Sequence, residues 1–233
     1  MQPARIAELL EPFLKSSPHS AFVSHPGVRG EENAVLSPAQ LQHISTYIDM
    51  LQRWNARMNL TAIRSEEEIV TRHFGESLFA ARHLFPTVTP VVRGFAVADL
   101  GSGAGFPGIP IKLWAPEISL TLIESSHKKA TFLRELTRAL TLTDVNIQNA
   151  RAETLPPHSF DLVTLRAVER FETILSTAAG LVVPGGHLAL LIGATQVPAA
   201  SSLLPTLNWS DPLPIPNSGS RLLAIATRNA SKL

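Results

Sequence analysis

A glycine-rich segment runs from Ala96 to Gly108, reading AVADLGSGAGFPG. A largely apolar run, Phe95 to Leu100, stops at Gly101, and glycines recur at Gly101, Gly103, Gly105 and Gly108. A buried strand that ends in such a turn and opens a helix is a loop for a nucleotide-type cofactor. Backbone without Cβ atoms can press against a ligand and adopt positive φ. Pro107 suits the first turn of the following helix, where its missing N–H costs nothing. Leu120-Thr121-Leu122-Ile123-Glu124 is a second apolar run, ending in a carboxylate. An acid about 20 residues beyond the glycine loop can accept both hydroxyls of a ribose.

Gly103 to Gly108 formally matches G-x-G-x-x-G, the dinucleotide fingerprint, but in the wrong register. Counted from the strand end, the third glycine falls on Phe106, and that glycine exists to let helix and strand pack closely. Asp99-Leu100-Gly101-Ser102-Gly103-Ala104-Gly105 resembles instead D-x-G-x-G-x-G, motif I of the class I S-adenosylmethionine methyltransferases. The resemblance implies cofactor contacts at Asp99, Gly101, Ser102 and Gly103, with Glu124 on the ribose. The cofactor it implies has an amino-acid end, a ribose and an adenine, and no pyrophosphate.

These residues need a scaffold, and the pattern supplies one. From Phe95 onward apolar strands alternate with helices: strands at 95–100, 119–124, 145–149, 161–165 and 187–192, helices near 106–115, 127–140 and 171–182. Such alternation predicts an α/β fold, a mostly parallel Rossmann-like sheet with helices on both faces. Pro184-Gly185-Gly186 reads as a turn, and Leu222 to Ala226 as an added antiparallel strand. Residues 198–217 hold five prolines and no clear pattern.

Upstream the chain reads as helical. Residues 1 to about 15 form a short helix, and Ser16 to Leu36 a connector rich in Ser, Pro, Gly and His. Ser37-Pro38 is an N-cap followed by proline at the first helical position. Leu41, Ile44, Ile48, Leu51, Trp54 and Met58 then form one apolar stripe on a helix reaching about Met58. Ser65 to Glu68 reads as a capping box before a second amphipathic helix, with Ile69, Phe74, Leu78 and Ala81 inward. The expected division is 1–36, a helix and connector; 37–92, a helical region; and 93–233, the cofactor-binding domain.

Composition bounds the function. The chain has 233 residues, no cysteine and a net charge of +1. Disulfides and thiolate metal sites are excluded, which suits a reducing cytoplasm. The eight histidines show no H-x-x-x-H pair, so no metal site is expected. No apolar run approaches the roughly 18 residues of a membrane span, and the N-terminus lacks a signal-peptide core. Global charge does not announce a nucleic-acid binder. Locally, Ser126 to Leu140 sets Lys128, Lys129, Arg134 and Arg138 against Glu135 alone, and Arg53, Arg57, Arg64, Arg72 and Arg82 recur through the N-terminal helices.

A longer set of motifs narrows the reading. Trp54-Asn55-x-x-x-Asn59-Leu60-Thr61-Ala62-Ile63, Arg72-His73, Asp99 to Pro110, Glu124-Ser125-x-x-Lys128-Lys129-x-x-Phe132-Leu133, Arg151-Ala152-Glu153 and Arg166-Ala167 follow in order. Together they resemble the RsmG family, also called GidB, over about residues 38–193. Members are bacterial methyltransferases that form N7-methylguanosine in small-subunit (16S) ribosomal RNA. The resemblance implies S-adenosylmethionine as cofactor, held by Gly101, Phe106, Ala152, Glu153 and Arg166. It implies small-subunit ribosomal RNA or a ribosomal particle as partner; no membrane partner is expected, and the chain is expected to be a monomer. Arg57, Asn59, Arg72, His73, Lys128 and Lys129 are the candidate RNA contacts. The family commonly carries Lys-Gly where this chain has Ile192-Gly193. The residues alone leave open a small-molecule or protein substrate, and a cofactor-binding protein without turnover.

Overall fold

The computed structural model describes residues 1–15, 35–86, 93–166 and 171–230. The expected connector at 16–36 lies almost wholly outside them, as does Ala167 of the Arg166-Ala167 pair. Helix α1 (Pro3–Leu14) buries Ile6, Leu10, Phe13 and Leu14, three turns of one face. Helix α2 (Pro38–Asn55) starts as expected: Ser37 Oγ accepts from the Gln40 amide at 3.3 Å, and Gln40 Oε1 accepts from the Ser37 amide at 2.7 Å. It ends three residues before Met58, because Asn55 turns its side chain onto the following loop. Its Oδ1 accepts from Leu60 N (2.9 Å) and Thr61 N (3.1 Å), and its Nδ2 donates to Thr61 O (2.9 Å). A side chain that satisfies loop amides in this way competes with helix continuation.

The second helix departs further from expectation. The capping box at Ser65 does not form. The acids turn to α1 instead: Glu67 takes Arg5 at 2.6 Å, and Glu66 lies 3.7 Å from the N-terminal ammonium. A short α3 (Glu66–Glu68) runs into a π-helical turn (Ile69–Gly75) and then α4 (Glu76–Leu84). Ile69, Phe74, Leu78 and Ala81 are buried as the stripe predicts. Gly75 sits where α1 crosses, and a Cβ there would stand 2.6 Å from the Phe13 ring. Arg82 is no part of an exposed arginine stripe; it is buried and donates to Lys15 O.

Among the described residues eight strands form one sheet: β1 (Ala96–Leu100), β2 (Ser119–Ile123), β3 (Val145–Gln148), β4 (Phe160–Arg166), β5 (Val182–Gly193), β6 (Leu207–Trp209), β7 (Leu213–Pro214) and β8 (Arg221–Arg228). Their order is β3-β2-β1-β4-β5-β8-β6, with β7 also paired to β8. The first five run parallel, and β8 is antiparallel to β5, as the Leu222–Ala226 run predicts. Strand β5 starts earlier than the expected 187. Pro184 to Gly186 is an irregularity inside it, where pairing jumps from Phe160↔Val182 to Leu162↔His187. The proline-rich stretch becomes α8 (Val197–Leu203), β6 and β7.

Helices α5 (Gly108–Trp114), α6 (His127–Ala139) and α7 (Phe171–Leu181) are the crossovers. One core joins the N-terminal helices, α5 and α6 to a sheet face, through Ile44, Tyr47, Phe74, Leu120, Phe132 and Leu191. A second core packs α7 and α8 on the other face, through Leu175, Ala200, Leu100, Leu165 and Leu190. Successive strand residues alternate between these cores, as in Leu190 and Leu191. Strand order reverses between β1 and β4. In such sheets ligands bind outside the carboxyl ends at that switch point.

Candidate active site

The glycine turn leaves β1 at this edge. Gly101, Gly103 and Gly105 all take positive φ, at 66°, 55° and 96°. Such values favour glycine over any residue with a Cβ. The Gly101 and Ser102 amides both donate to Ile123 O, at 2.9 and 3.2 Å. Glu124 closes the turn: Oε2 accepts from the Gly103 amide at 2.9 Å and Oε1 from the Ser126 amide at 2.7 Å. Asn149 steadies Glu124 by donating to its carbonyl at 2.9 Å.

Asp99 lies beneath the turn, fully buried, accepting from Thr164 Oγ1 (3.0 Å) and from the Gly108 amide (3.2 Å). Burial pushes its carboxyl up to about 7, against those hydrogen bonds. Ser102 is buried as well and donates its hydroxyl to Asp99 O at 2.8 Å. Of the expected cofactor residues, then, Asp99 and Ser102 serve the loop from within, while Gly101 and Gly103 lie at its surface. The helix opens at Gly108, with Pro107 just before it rather than inside the first turn. A Cβ at Gly108 would stand 2.7 Å from Leu122 Cδ2 and 2.9 Å from Asp99 Oδ2. Close helix–strand packing therefore does rest on a glycine, two residues later than strand-end counting places it.

This edge fits an adenosyl cofactor. A Cβ at Gly103 would meet only Gly101 O, at 3.7 Å, so the outer side of the turn is open. Each Glu124 oxygen accepts one of these amides and keeps further acceptor capacity for a hydroxyl. Ala152 opens a short 3-10 turn (Ala152–Thr154) after β3; it is buried, and Glu153 beside it is exposed.

Phe106 joins the loop to the N-terminal helices. Its ring stacks with Tyr47 (5.0 Å, 7°) and His73 (4.7 Å, 20°) and meets Phe74 edge-on. Tyr47 donates its hydroxyl to Ala104 O inside the loop. Arg166, at the end of β4, lies with Cζ 6.0 Å from the Phe106 ring centre.

Arg166 organises the other half of the edge. Its Nη1 donates to His73 Nδ1 (2.9 Å) and its Nη2 to Arg72 O (2.6 Å), while Glu76 Oε2 stands 3.3 Å away. The same Glu76 oxygen is 3.3 Å from Arg221 Nη2. A guanidinium only donates, so His73 Nδ1 accepts and its hydrogen sits on Nε2, which donates to Thr61 Oγ1 at 2.7 Å. Burial, then Arg166, Arg72 and Arg221, push His73 down to about 3, so the imidazole is neutral near pH 7.

The candidate RNA residues divide. Arg72 and His73 come together at Arg166. Lys128, exposed, and Lys129, half-buried, occupy the first turn of α6 just beyond Glu124. Arg57 and Asn59 lie exposed on the turn after α2, which follows the Trp54–Phe132 contact (5.6 Å) between α2 and α6. Glu76 and Arg221 belong to the site and escaped the sequence reading. Glu76 had a signal, since it falls seven residues after Ile69 on the inward helix stripe. Arg221 had none, emerging from the proline-rich stretch. Among the described residues no group of three His, Asp or Glu side chains could hold a metal ion, and no helix is long and apolar enough to cross a membrane.

A glycine turn after β1, a carboxylate ending β2 and the 3-2-1-4-5 order define a class I S-adenosylmethionine methyltransferase. Residues 40–201 match the GidB family, rRNA small subunit methyltransferase G, and the chain belongs to that family. The Ribosomal RNA small subunit methyltransferase G of Bacillus pumilus is 40% identical over 167 residues, covering 69% of this chain and 67% of the relative. The protein of that name from Xanthomonas axonopodis pv. citri is 38% identical over 166 residues, covering 71% and 74%. The crystal structure of a SAM dependent methyltransferase from Aquifex aeolicus shares the fold, with a TM-score of 0.54 at 13% identity over 78% of this chain and 97% of that one.

Proposed function

We infer that this methyltransferase transfers the methyl group of S-adenosylmethionine to N7 of a guanine in small-subunit ribosomal RNA, acting as a cytoplasmic monomer. The observation that carries the reading is the division of one sheet edge at the switch point. Glu124 and the glycine turn stand on one side, and Arg166 with Arg72 and His73 on the other. Family membership makes ribosomal RNA the substrate that this geometry serves.

When bound, the cofactor supplies a methyl already activated by its sulfonium. Guanine N7 is an acceptor on the major-groove edge, with an in-plane lone pair free at neutral pH. No proton has to be removed before transfer, so the chain's task is alignment and exclusion of water. Glu124 holds the ribose end, Gly101 and Gly103 let the cofactor lie against the turn, and Ala152 and Glu153 border the adenine. His73 is no general base in this reading: both ring nitrogens are engaged, and a pKa pushed down to about 3 makes it a poor proton acceptor. It keeps Arg166 aimed across the edge.

The test offers the chain tritiated S-adenosylmethionine with naked small-subunit RNA, with small-subunit particles and with cell lysate, followed by mapping of the labelled nucleotide. Label at N7 of a guanine in the RNA is expected. Label confined to protein or small molecules overturns the reading.

A further inference from the structure

A cavity of about 450 Å³ opens between the π-helical turn and the segment entering β8, away from the glycine turn. Arg72, Glu76, Ser218, Ser220 and Arg221 line it. We propose that this cavity is a phosphodiester subsite for the RNA strand, in which Arg72 and Arg221 grip a backbone phosphate near the target guanine. The proposal rests on the ribosomal RNA reading above.

Three features of the cavity point to an anion. Its charge is unbalanced: Arg72 and Arg221 line it and Arg166 adjoins it, against the one carboxylate of Glu76, which Arg166 and Arg221 already share, and His73 among them is neutral. Its hydrogen bonding is incomplete, since Arg221 Nε in its lining and Arg166 Nε beside it are buried donors with no hydrogen-bond partner. Glu76, 4% exposed, holds both arginines at 3.3 Å through one oxygen, Oε2. Two guanidiniums carry ten N–H donors, and the acceptors around them are His73 Nδ1, Arg72 O, Leu191 O and Glu76. Arg72 pairs with no carboxylate among the described residues. A phosphate brings the missing acceptors in the planar, two-pronged geometry that guanidinium matches. The size is right as well, since pockets that enclose small ligands run from about 300 to 1,000 Å³.

Location favours a strand over a free anion. Arg221 pairs in register with Gly193, at the end of β5. Arg166 bridges from there to Phe106 and the glycine turn. A guanine presented at the switch point therefore carries its backbone past this cavity.

The experiment measures binding of a small-subunit ribosomal RNA fragment against salt, for the full chain and for Arg72→Gln, Arg221→Gln and Arg221→Lys, with cofactor affinity on the same samples. Arg72→Gln should fold normally, weaken RNA binding three- to tenfold and lower the log–log salt slope by about 0.7–0.9. Arg221→Gln should act likewise, with Arg221→Lys restoring the slope but not the affinity. Cofactor affinity should hold in all three. RNA binding and slope like wild type in both glutamine variants would overturn the subsite. Inorganic phosphate that raises the melting temperature of wild type but not of Arg72→Gln, while that variant binds RNA normally, would make the cavity a free-anion site and also overturn it. Wild type that neither binds nor methylates the RNA removes the ribosomal RNA reading itself, whereas wild-type methylation with unaffected variants removes the subsite alone.

Discussion

At the ends of β1 and β2 the side chains that matter are acids, and they work through backbone amides. Asp99 and Glu124 take the Gly108, Gly103 and Ser126 N–H groups, so the cradle is largely main chain. At the ends of β4 and β8 the side chains are arginines, and they work through one another. Arg166 and Arg221 share Glu76, and Arg166 also holds His73. The first half offers acceptors to a ligand rich in hydroxyls. The second has donors in surplus. A ribose would find acceptors in the first half, and a phosphate would find donors in the second.

Removing the carboxylate that the two arginines share damages their half of the edge most. Glu76→Gln leaves Arg166 and Arg221 buried without their countercharge. Losing one partner of a buried charged group costs on the order of 3 kcal/mol. The denaturation midpoint in urea should fall accordingly. A midpoint equal to wild type would mean that charge pairing does not hold this half together.

On the acceptor half, Glu124→Ala should weaken S-adenosylmethionine binding by about tenfold or more, roughly 1–3 kcal/mol. Because Glu124 also pins Gly103 and Ser126, Glu124→Gln is the sharper variant. It keeps one acceptor for an amide while setting an NH2 group against the other. Calorimetry should rank affinity as wild type, then Gln, then Ala, and an unchanged dissociation constant in both variants would remove Glu124 from the cofactor site.

The two halves also respond oppositely to pH. Asp99 has a folded pKa of about 7, above its ordinary 3.8, so its contribution to stability is complete below 3.8 and is lost as pH rises through 7. His73 has a folded pKa of about 3, below its ordinary 6.5, so its contribution is complete above 6.5 and is lost as pH falls toward 3. Between those limits they oppose each other; above pH 6.5 only Asp99 acts. The wild type should lose roughly 1 kcal/mol between pH 6.5 and 8, and Asp99→Asn should flatten that decline. Melting temperatures across this range decide it, and an equal decline in both proteins would clear Asp99 of the effect.

The acceptor half was the legible one. A glycine turn must be written in glycines, and a carboxylate ending an apolar strand is visible as a pattern, so the loop from Asp99 to Gly105 and the position of Glu124 could be read before any coordinates. What could not be read was direction. Nothing in the motif says that Asp99 and Ser102 turn inward, or that Gly108 rather than residue 106 takes the close packing, because the first depends on Thr164 of β4 and the second on Leu122 of β2. The arginine half was legible in part: the family resemblance pointed to Arg72, His73 and Arg166, while Glu76 and Arg221 escaped. Glu76, Arg166 and Arg221 come from α4, β4 and β8, and only the sheet order brings them together. The π-helical turn was hidden for the same reason, since the crossing of α1 at Gly75 is a tertiary fact.

The smallest effect concerns two lysines that sit at the acceptor half yet carry the charge of the other. Lys128 and Lys129 occupy the first turn of α6, which has no acidic residue. Cations there oppose the helix dipole, at about 0.3–1 kcal/mol each at most and less where solvent screens them. Replacing both by Ala should leave the melting temperature equal or slightly higher. If the lysines are only solvated helix residues, nothing else changes. If they meet the RNA backbone, the same variant binds small-subunit RNA more weakly and with a shallower salt slope, each lost contact removing somewhat under about one unit. Cofactor affinity should be the same on either account, because Glu124 and the glycine turn are untouched. A protein that gains stability while losing RNA affinity would show two charges kept in place against the helix they belong to. A protein that methylates and binds like wild type at low and high salt would confine RNA contact to the arginine half.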